Sequence, residues 1–231
     1  MTGFDVIALD GPGGVGKSTS GRGLAQRLGF AFLSSGRIYR ALAWWALREG
    51  WQPPAPPDPK LVAGAMVEYT PDAREGSEPW RVNGEPVDAD LGSDTISRAA
   101  SVFSTHSEVR ALADQAQRDT VKALESDGRY GGVILEGRDI GTVVFPDTRH
   151  KLFLTATAEE RARRRHAELL RDDPSLKYES VLDALQERDA RDEGRSIAPL
   201  KPAQDAKVID TTSLTLDEVI EAMLKAVGRD S

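Results

Sequence analysis

An α/β fold, a five-stranded parallel sheet covered by helices on both faces, is what these 231 residues predict. Five short apolar runs, 6–9, 30–33, 131–136, 151–154 and 207–210, alternate with segments of helical spacing. Runs of that length bounded by turn residues read as strands buried on both faces, and strands that alternate with helices form parallel sheets. The first run leads directly into a glycine-rich turn, 11–16, and then a helix. With 39% hydrophobic and 29% charged residues, the chain has apolar content enough for a sizeable core.

Each element has its own signal. Val6 to Leu9 ends at Asp10-Gly11 and reads as the first strand; residues 17–29 follow as a helix with Leu24, Ala25 and Leu28 on one face. Phe30 to Leu33 reads as a second strand, and Ile38 to Arg48 as a second helix. Pro53, Pro54, Pro56, Pro57 and Pro59 then predict a stiff extended connector. Residues 66–70 and 80–82 read as antiparallel strands, and Asn83-Gly84 is a strong hairpin signal, so 61–91 is expected to be a small β-containing insertion. Helical spacing resumes from about Asp94 to Leu124, as two helices broken near Thr105-His106. After the third strand, Gly131 to Glu136, and the fourth, Lys151 to Leu154, Thr157 and Glu160 predict a capping box that opens an arginine-rich helix. Tyr178 to Asp192 reads as a further helix, Lys207 to Asp210 as the fifth strand, and Thr215 with Glu218 as a second capping box. The expected organisation is a core of 1–60 and 92–231, with a short lid at about 161–176, and the insertion at 61–91.

The net charge of −7 disfavours a protein whose main task is gripping a nucleic-acid backbone. No cysteine is present, which rules out disulfides and thiolate metal sites. No basic region followed by a long apolar stretch opens the chain, and no apolar run approaches the roughly 18 residues of a membrane span. A cytoplasmic monomer with no nucleic-acid or membrane partner is the expectation.

The chemistry is concentrated in Gly11, Pro12, Gly13, Gly14, Val15, Gly16, Lys17, Ser18 and Thr19, which match GxxxxGK[ST] between a strand and a helix. Glycines let backbone N–H groups converge on phosphate oxygens, and the helix start adds its dipole. Lys17, expected to be solvated before nucleotide binds, is expected to reach the β and γ phosphates, and the Ser18 hydroxyl can ligate Mg²⁺. No Asn-Lys-x-Asp guanine reader follows, which argues against a GTPase. Segments 34–40 and 136–139 follow strands, and ligands of parallel sheets bind beyond the carboxyl ends of strands. Arg188, Asp192 and Arg195 are spaced by four and three, as on one helix face. Each of these segments alone also reads as solvated surface charge, as do Arg161, Arg163, Arg164 and Arg165.

Together the motifs resemble the bacterial cytidylate kinases nearly end to end. The resemblance is carried by residues 10–17, Ser35-Gly-x-Ile-Tyr-Arg40, 137–146, Glu160-Arg-Ala-x-Arg-Arg165, Glu187-Arg-Asp-x-Arg-Asp192 and Arg195-x-x-Ala-Pro-Leu200. The chain departs from the family's usual aspartates at Ser34 and Glu136, and from a frequent glycine at Ser18. The resemblance implies transfer of the γ-phosphate of ATP to CMP or dCMP, with Mg²⁺, in pyrimidine nucleotide metabolism. It also implies that Ser35, Arg110 and Asp139 contact cytosine, that Ser101, Arg188 and Asp192 contact the sugar, and that Arg40, Arg138 and Arg195 bind the acceptor phosphate. Arg164 and Arg165 are expected over ATP, and Lys17, Arg138, Arg164 and Arg195 are the expected catalytic charges. The remaining readings are a kinase of UMP, dTMP or AMP, and a nucleotide-dependent regulatory or RNA-interacting protein.

Overall fold

The computed structural model describes residues 3–70, 80–171 and 173–229; residues 71–79 of the expected insertion and residue 172 of the expected lid lie outside the described residues. Along the chain, β1 (Asp5–Asp10) leads to α1 (Lys17–Leu28), β2 (Ala31–Ser34) and α2 (Ser35–Arg48). Then come α3 (Pro59–Ala63), β3 (Val67–Tyr69), β4 (Trp80–Val82), β5 (Glu85–Pro86) and α4 (Asp88–Leu91). Helices α5 (Asp94–Phe103) and α6 (Ser107–Asp127) precede β6 (Gly132–Glu136), which runs into a π-helical turn over Ile140–Val144. The rest is β7 (His150–Thr155), α7 (Ala158–Leu169), α8 (Tyr178–Glu193), β8 (Lys207–Asp210) and α9 (Leu216–Ala226).

Five strands in the order β2-β6-β1-β7-β8 form the parallel sheet that the apolar runs predict. Register places Ile7 opposite His150 and Leu152 opposite Lys207. Consecutive residues of β1, β2, β6 and β7 are buried, odd and even alike, which requires cover on both faces. At the edge, β8 is largely exposed and opens with Lys207, a charge that discourages pairing with another chain.

The chain divides into two compact units, residues 5–30 with 134–231 and residues up to 4 with 31–133. In the first, α1 meets α9 at Gly23, where a methyl group would lie 2.4 Å from Ile220 Cδ1. The Thr215–Glu218 capping box is reciprocal. The Thr157 box is only half formed. Its hydroxyl accepts from Glu160 N at 3.3 Å, but the Glu160 carboxylate turns to Arg163 and Arg164, which offer charged donors.

In the second unit, α2 begins at Ser35 rather than Ile38, so Ser35 and Arg40 ride on a helix. The proline connector ends sooner than expected, because Pro59 is the first residue of α3. Proline has no N–H to lose at that position, and the Asp58 side chain caps Lys60 N at 2.9 Å. Asn83 and Gly84 have φ of 51° and 79°, the left-handed pair a two-residue hairpin needs, and they join β4 to β5. β3 pairs with β4, and the buried Trp80 lies 4.6 Å from the Tyr69 ring. No helix among the described residues is long and apolar enough to cross a membrane.

Candidate active site

The turn between β1 and α1 has the shape its glycines permit. Gly11 has φ 145° and faces Leu154 O, which an added Cβ would meet at 2.2 Å. Gly14, at φ 78°, rests on Arg161, and Gly16, at φ 88°, begins α1 without a side-chain cap. A helix start of that kind leaves its first N–H groups for an anion. The loop's carbonyls are held by donors from several elements. Arg161 Nη1 donates to Gly13 O at 3.2 Å, Thr211 Oγ1 to Val15 O at 3.3 Å and Ser20 Oγ to Gly16 O at 2.8 Å. In a planar trans peptide, fixing C=O also fixes the opposed N–H.

Lys17 corrects the expectation of a solvated side chain. It is 4% exposed, and its Nζ donates to Gly11 O at 2.8 Å and Pro12 O at 2.7 Å. Burial holds its pKa well below the usual lysine range, the positive charge of Arg138 adds to that, and Glu136 and Asp10 oppose it. Ser18 Oγ donates to Glu136 Oε2 at 2.8 Å, so the loop hydroxyl and the carboxylate ending β6 share one place. Two hard oxygens side by side suit Mg²⁺, which takes one or two protein ligands and fills its octahedron with phosphate and water.

Three hydrogen bonds to β1 clamp the segment after β6. Gly137 N donates to Leu9 O at 3.0 Å, while Ile140 N and Gly141 N donate to the two Asp10 oxygens at 2.9 and 2.8 Å. Between these anchors stand Arg138 and Asp139. Asp10 is 5% exposed, and burial pushes its pKa up to about 6 against the pull of the two backbone bonds.

Asp192 gathers the arginines. Its oxygens accept from Arg138 Nε at 3.1 Å and Arg195 Nη2 at 2.5 Å, and Arg188 Nε lies 4.0 Å away. Arg195 sits past the end of α8 rather than on its face, because Gly194 ends the helix. A methyl group at Gly13 would be 3.7 Å from Arg138 Nη2 and 3.9 Å from Arg188 Nη1, so both guanidinium groups border the phosphate loop.

The arginines of α7 separate by face. Arg164 Nε bonds Glu160 at 2.7 Å, and its Nη1 and Nη2 bond Thr211 Oγ1 and O at 3.1 and 2.6 Å. The half-exposed Arg165 pairs with Glu168 at 2.9 Å. Arg163 shares Glu160, whose pKa falls to about 2 chiefly through the hydrogen bond from Arg163. Arg161 is not surface charge: it is 6% exposed and bonds Asp189 at 2.5 Å.

In the other unit, Ser35 and Arg110 are buried, and Arg40 and Ser101 are half-buried. Arg110 Nη1 donates to Ser104 O at 3.1 Å, and its guanidinium lies 5.8 Å from the Tyr39 ring centre. Asp10, Arg161, Asp189 and Thr211 escaped the sequence reading as parts of the site. Only Asp10, at the end of an apolar strand, carried a local signal.

The cytidylate kinase family model matches residues 7–229. A cytidylate kinase of Nocardia farcinica is 41% identical over 228 residues, covering 97% of this chain and 94% of that protein. A cytidylate kinase of Geobacter sp. strain M21 is 43% identical over 228 residues, covering 96% and 92%. Among solved structures, an uncharacterized protein from Eubacterium ventriosum aligns at a TM-score of 0.50 and 9% identity over 97% of this chain and 98% of that one, a likeness of fold.

Proposed function

This chain belongs to the cytidylate kinase family, and we propose that it transfers the γ-phosphate of ATP to CMP or dCMP, giving ADP and CDP or dCDP. The observation that carries the reading is the set of charges at the phosphate loop: Lys17 within it, and Arg138 and Arg188 beside Gly13. An acceptor phosphate monoester has a second pKa of roughly 6, so it is largely dianionic at neutral pH and needs no general base. The obstacle is charge. Two anionic groups must meet in line while the transferring phosphoryl spreads charge over its oxygens, and fixed cations offset that repulsion.

In this reading Lys17 and the loop N–H groups hold the donor phosphates. Arg138 and Arg195, themselves oriented by Asp192, receive the acceptor phosphate with Arg40. Ser18 and Glu136 would hold Mg²⁺, which would supply positive charge to offset that of the donor phosphates. Arg164 and Arg165 lie toward ATP. Ser35, Arg110 and Asp139 read cytosine, while Ser101, Arg188 and Asp192 take the sugar. Residues 61–91 serve as the acceptor-binding insertion and about 161–176 as the lid, in a cytoplasmic monomer.

The test is an acceptor screen with purified protein, ATP and Mg²⁺ against CMP, dCMP, UMP, dTMP and AMP. Rapid ADP formation with CMP or dCMP, and slow formation with the others, is expected. A faster reaction with UMP, dTMP or AMP, or none with any monophosphate, refutes the assignment.

A further inference from the structure

We infer that Arg161 and Asp189 are positioning residues, which hold the Gly13–Gly14 peptide in the orientation that receives a phosphate of ATP. The inference rests on the proposed kinase reading for its purpose and on geometry for its content. Arg161 stands in the first turn of α7, yet it is 6% exposed, and Asp189 of α8 is 9% exposed. Three bonds fix the guanidinium: Nε to Ala156 O at 3.1 Å, Nη1 to Gly13 O at 3.2 Å and Nη1 to Asp189 Oδ2 at 2.5 Å. The loop also lies on the rest of the residue, since a methyl group at Gly14 would meet Arg161 Cβ at 3.1 Å and Arg161 O at 3.2 Å.

Stability does not account for this pair. A buried ion pair often adds nothing over well-packed apolar residues of the same volume, because both charges must shed water. Among the described residues no donor reaches the buried Asp189 Oδ1, so within them only one carboxylate oxygen is hydrogen-bonded. What the pair does besides packing is hold the Gly13 carbonyl. With Gly13 C=O drawn to Arg161, the Gly14 N–H of the same planar peptide points the opposite way. Asp189 directly follows Arg188 and precedes Asp192 by less than one helical turn, so the same contact sets α8, with its charged groups, against the loop.

The double substitution Arg161→Met with Asp189→Leu removes both charges and keeps side-chain volume, and Asp189→Asn leaves Arg161 its bond to Gly13 but weakens its anchor. ATP affinity is measured by calorimetry without an acceptor, alongside the Gly14 amide resonance and thermal unfolding. We expect the double variant to fold and to bind ATP about tenfold or more weakly, with a displaced Gly14 resonance, and Asp189→Asn to bind about threefold more weakly. A folded double variant with ATP affinity within about twofold of wild type and an unmoved Gly14 resonance overturns the inference. If the double variant does not fold, unchanged ATP affinity in Asp189→Asn overturns it equally. Because no acceptor is used, failure of the wild-type protein to phosphorylate CMP would sink the functional reading and leave this result standing.

Discussion

In the proposed function, the phosphate loop of 11–17 and the Arg110 cluster of α2, α5 and α6 answer different recognition problems with different parts of the chain. The loop works with backbone. Its glycines set the path, and Lys17, Arg161, Thr211 and Ser20 fix its carbonyls, so that peptide N–H groups form the binding surface. The Arg110 cluster works with side chains: a buried guanidinium held by Ser104 O and the Tyr39 ring, with Ser35 buried at the start of α2. A phosphate is the same on every nucleotide, and every residue but proline supplies an identical N–H. Base identity is a pattern of donors and acceptors, which only particular side chains can match. The first region should therefore govern whether transfer occurs, and the second which acceptor is chosen.

Lys17→Met should give the largest effect, a fall in turnover of about a thousandfold or more, or about 4 kcal/mol in transition-state stabilisation, with CMP and UMP affected alike. Single-turnover transfer of labelled γ-phosphate checks this; near-normal turnover would dissolve the comparison on the loop side. Folding should survive, since methionine removes a buried cation whose charged form burial already disfavours.

Asp10→Asn should act on stability through pH. The carboxyl titrates at about 6 in the fold, up from 3.8, so the folded state holds its proton more tightly than the unfolded chain. Its contribution is fully favourable below 3.8 and is lost as pH rises toward about 6, a change of up to about 3 kcal/mol. Wild-type stability relative to Asp10→Asn should therefore decline between pH 4 and pH 7 in urea titrations. A difference that does not vary with pH would refute the assignment of that titration to Asp10.

Asp139→Ala and Arg110→Met should sharpen the other side. A carboxylate accepts from the cytosine amino group and repels the uracil carbonyl, and a guanidinium can donate to ring N3 of cytosine but not to the N3–H of uracil. Losing either should cut the CMP-over-UMP ratio of kcat/KM by about tenfold to a hundredfold, in keeping with about 1–3 kcal/mol for an unpaired buried polar group. If Asp139 only holds its neighbour Arg138, both acceptors will slow equally and the ratio will stay put. The smallest effect belongs to Thr215→Ala, which removes a cap from α9, outside both regions. It should cost about 1 kcal/mol of stability and change neither KM nor the acceptor ratio; a shifted ratio would mean that specificity is more widely distributed than the comparison allows.

Legibility in the sequence followed the range of the interactions. The apolar runs of the strands, α1, the α5–α6 break and the Asn83-Gly84 hairpin each carry their signal in neighbouring residues, and each was visible there; the pairing of the strands is long-range, as between Ile7 and His150. Pro59 carried a local signal too, since it follows a capping aspartate, but four other prolines in the same stretch masked it. The half-formed box at Thr157 depended on which donor Glu160 would choose, and arginines three and four residues on outcompeted the backbone. Arg161 was beyond reach in principle. Spacing along α7 places it on a face, but nothing local shows that the face meets Gly13 and Asp189, which are 148 and 28 residues away. For the same reason the glycine motif placed Lys17 in the loop without showing its burial.

That burial ties nucleotide affinity to the acidity of the solvent. Lys17 has already given up its water, and its ammonium form is correspondingly disfavoured. Phosphate oxygens beside it reverse the preference, because a nearby anion favours the charged form. Uptake of ATP and uptake of a proton are then linked equilibria. Between the depressed pKa of the free protein and the higher one of the complex, each nucleotide bound should draw up to one proton from the medium, and affinity should weaken as pH rises through that window. Calorimetry in two buffers of different ionisation heat would register that proton, and equal heats in both across the pH range would show that Lys17 does not change its protonation on binding. An enzyme made this way carries an alkaline ceiling on its hold over ATP within the loop itself, before any acceptor arrives.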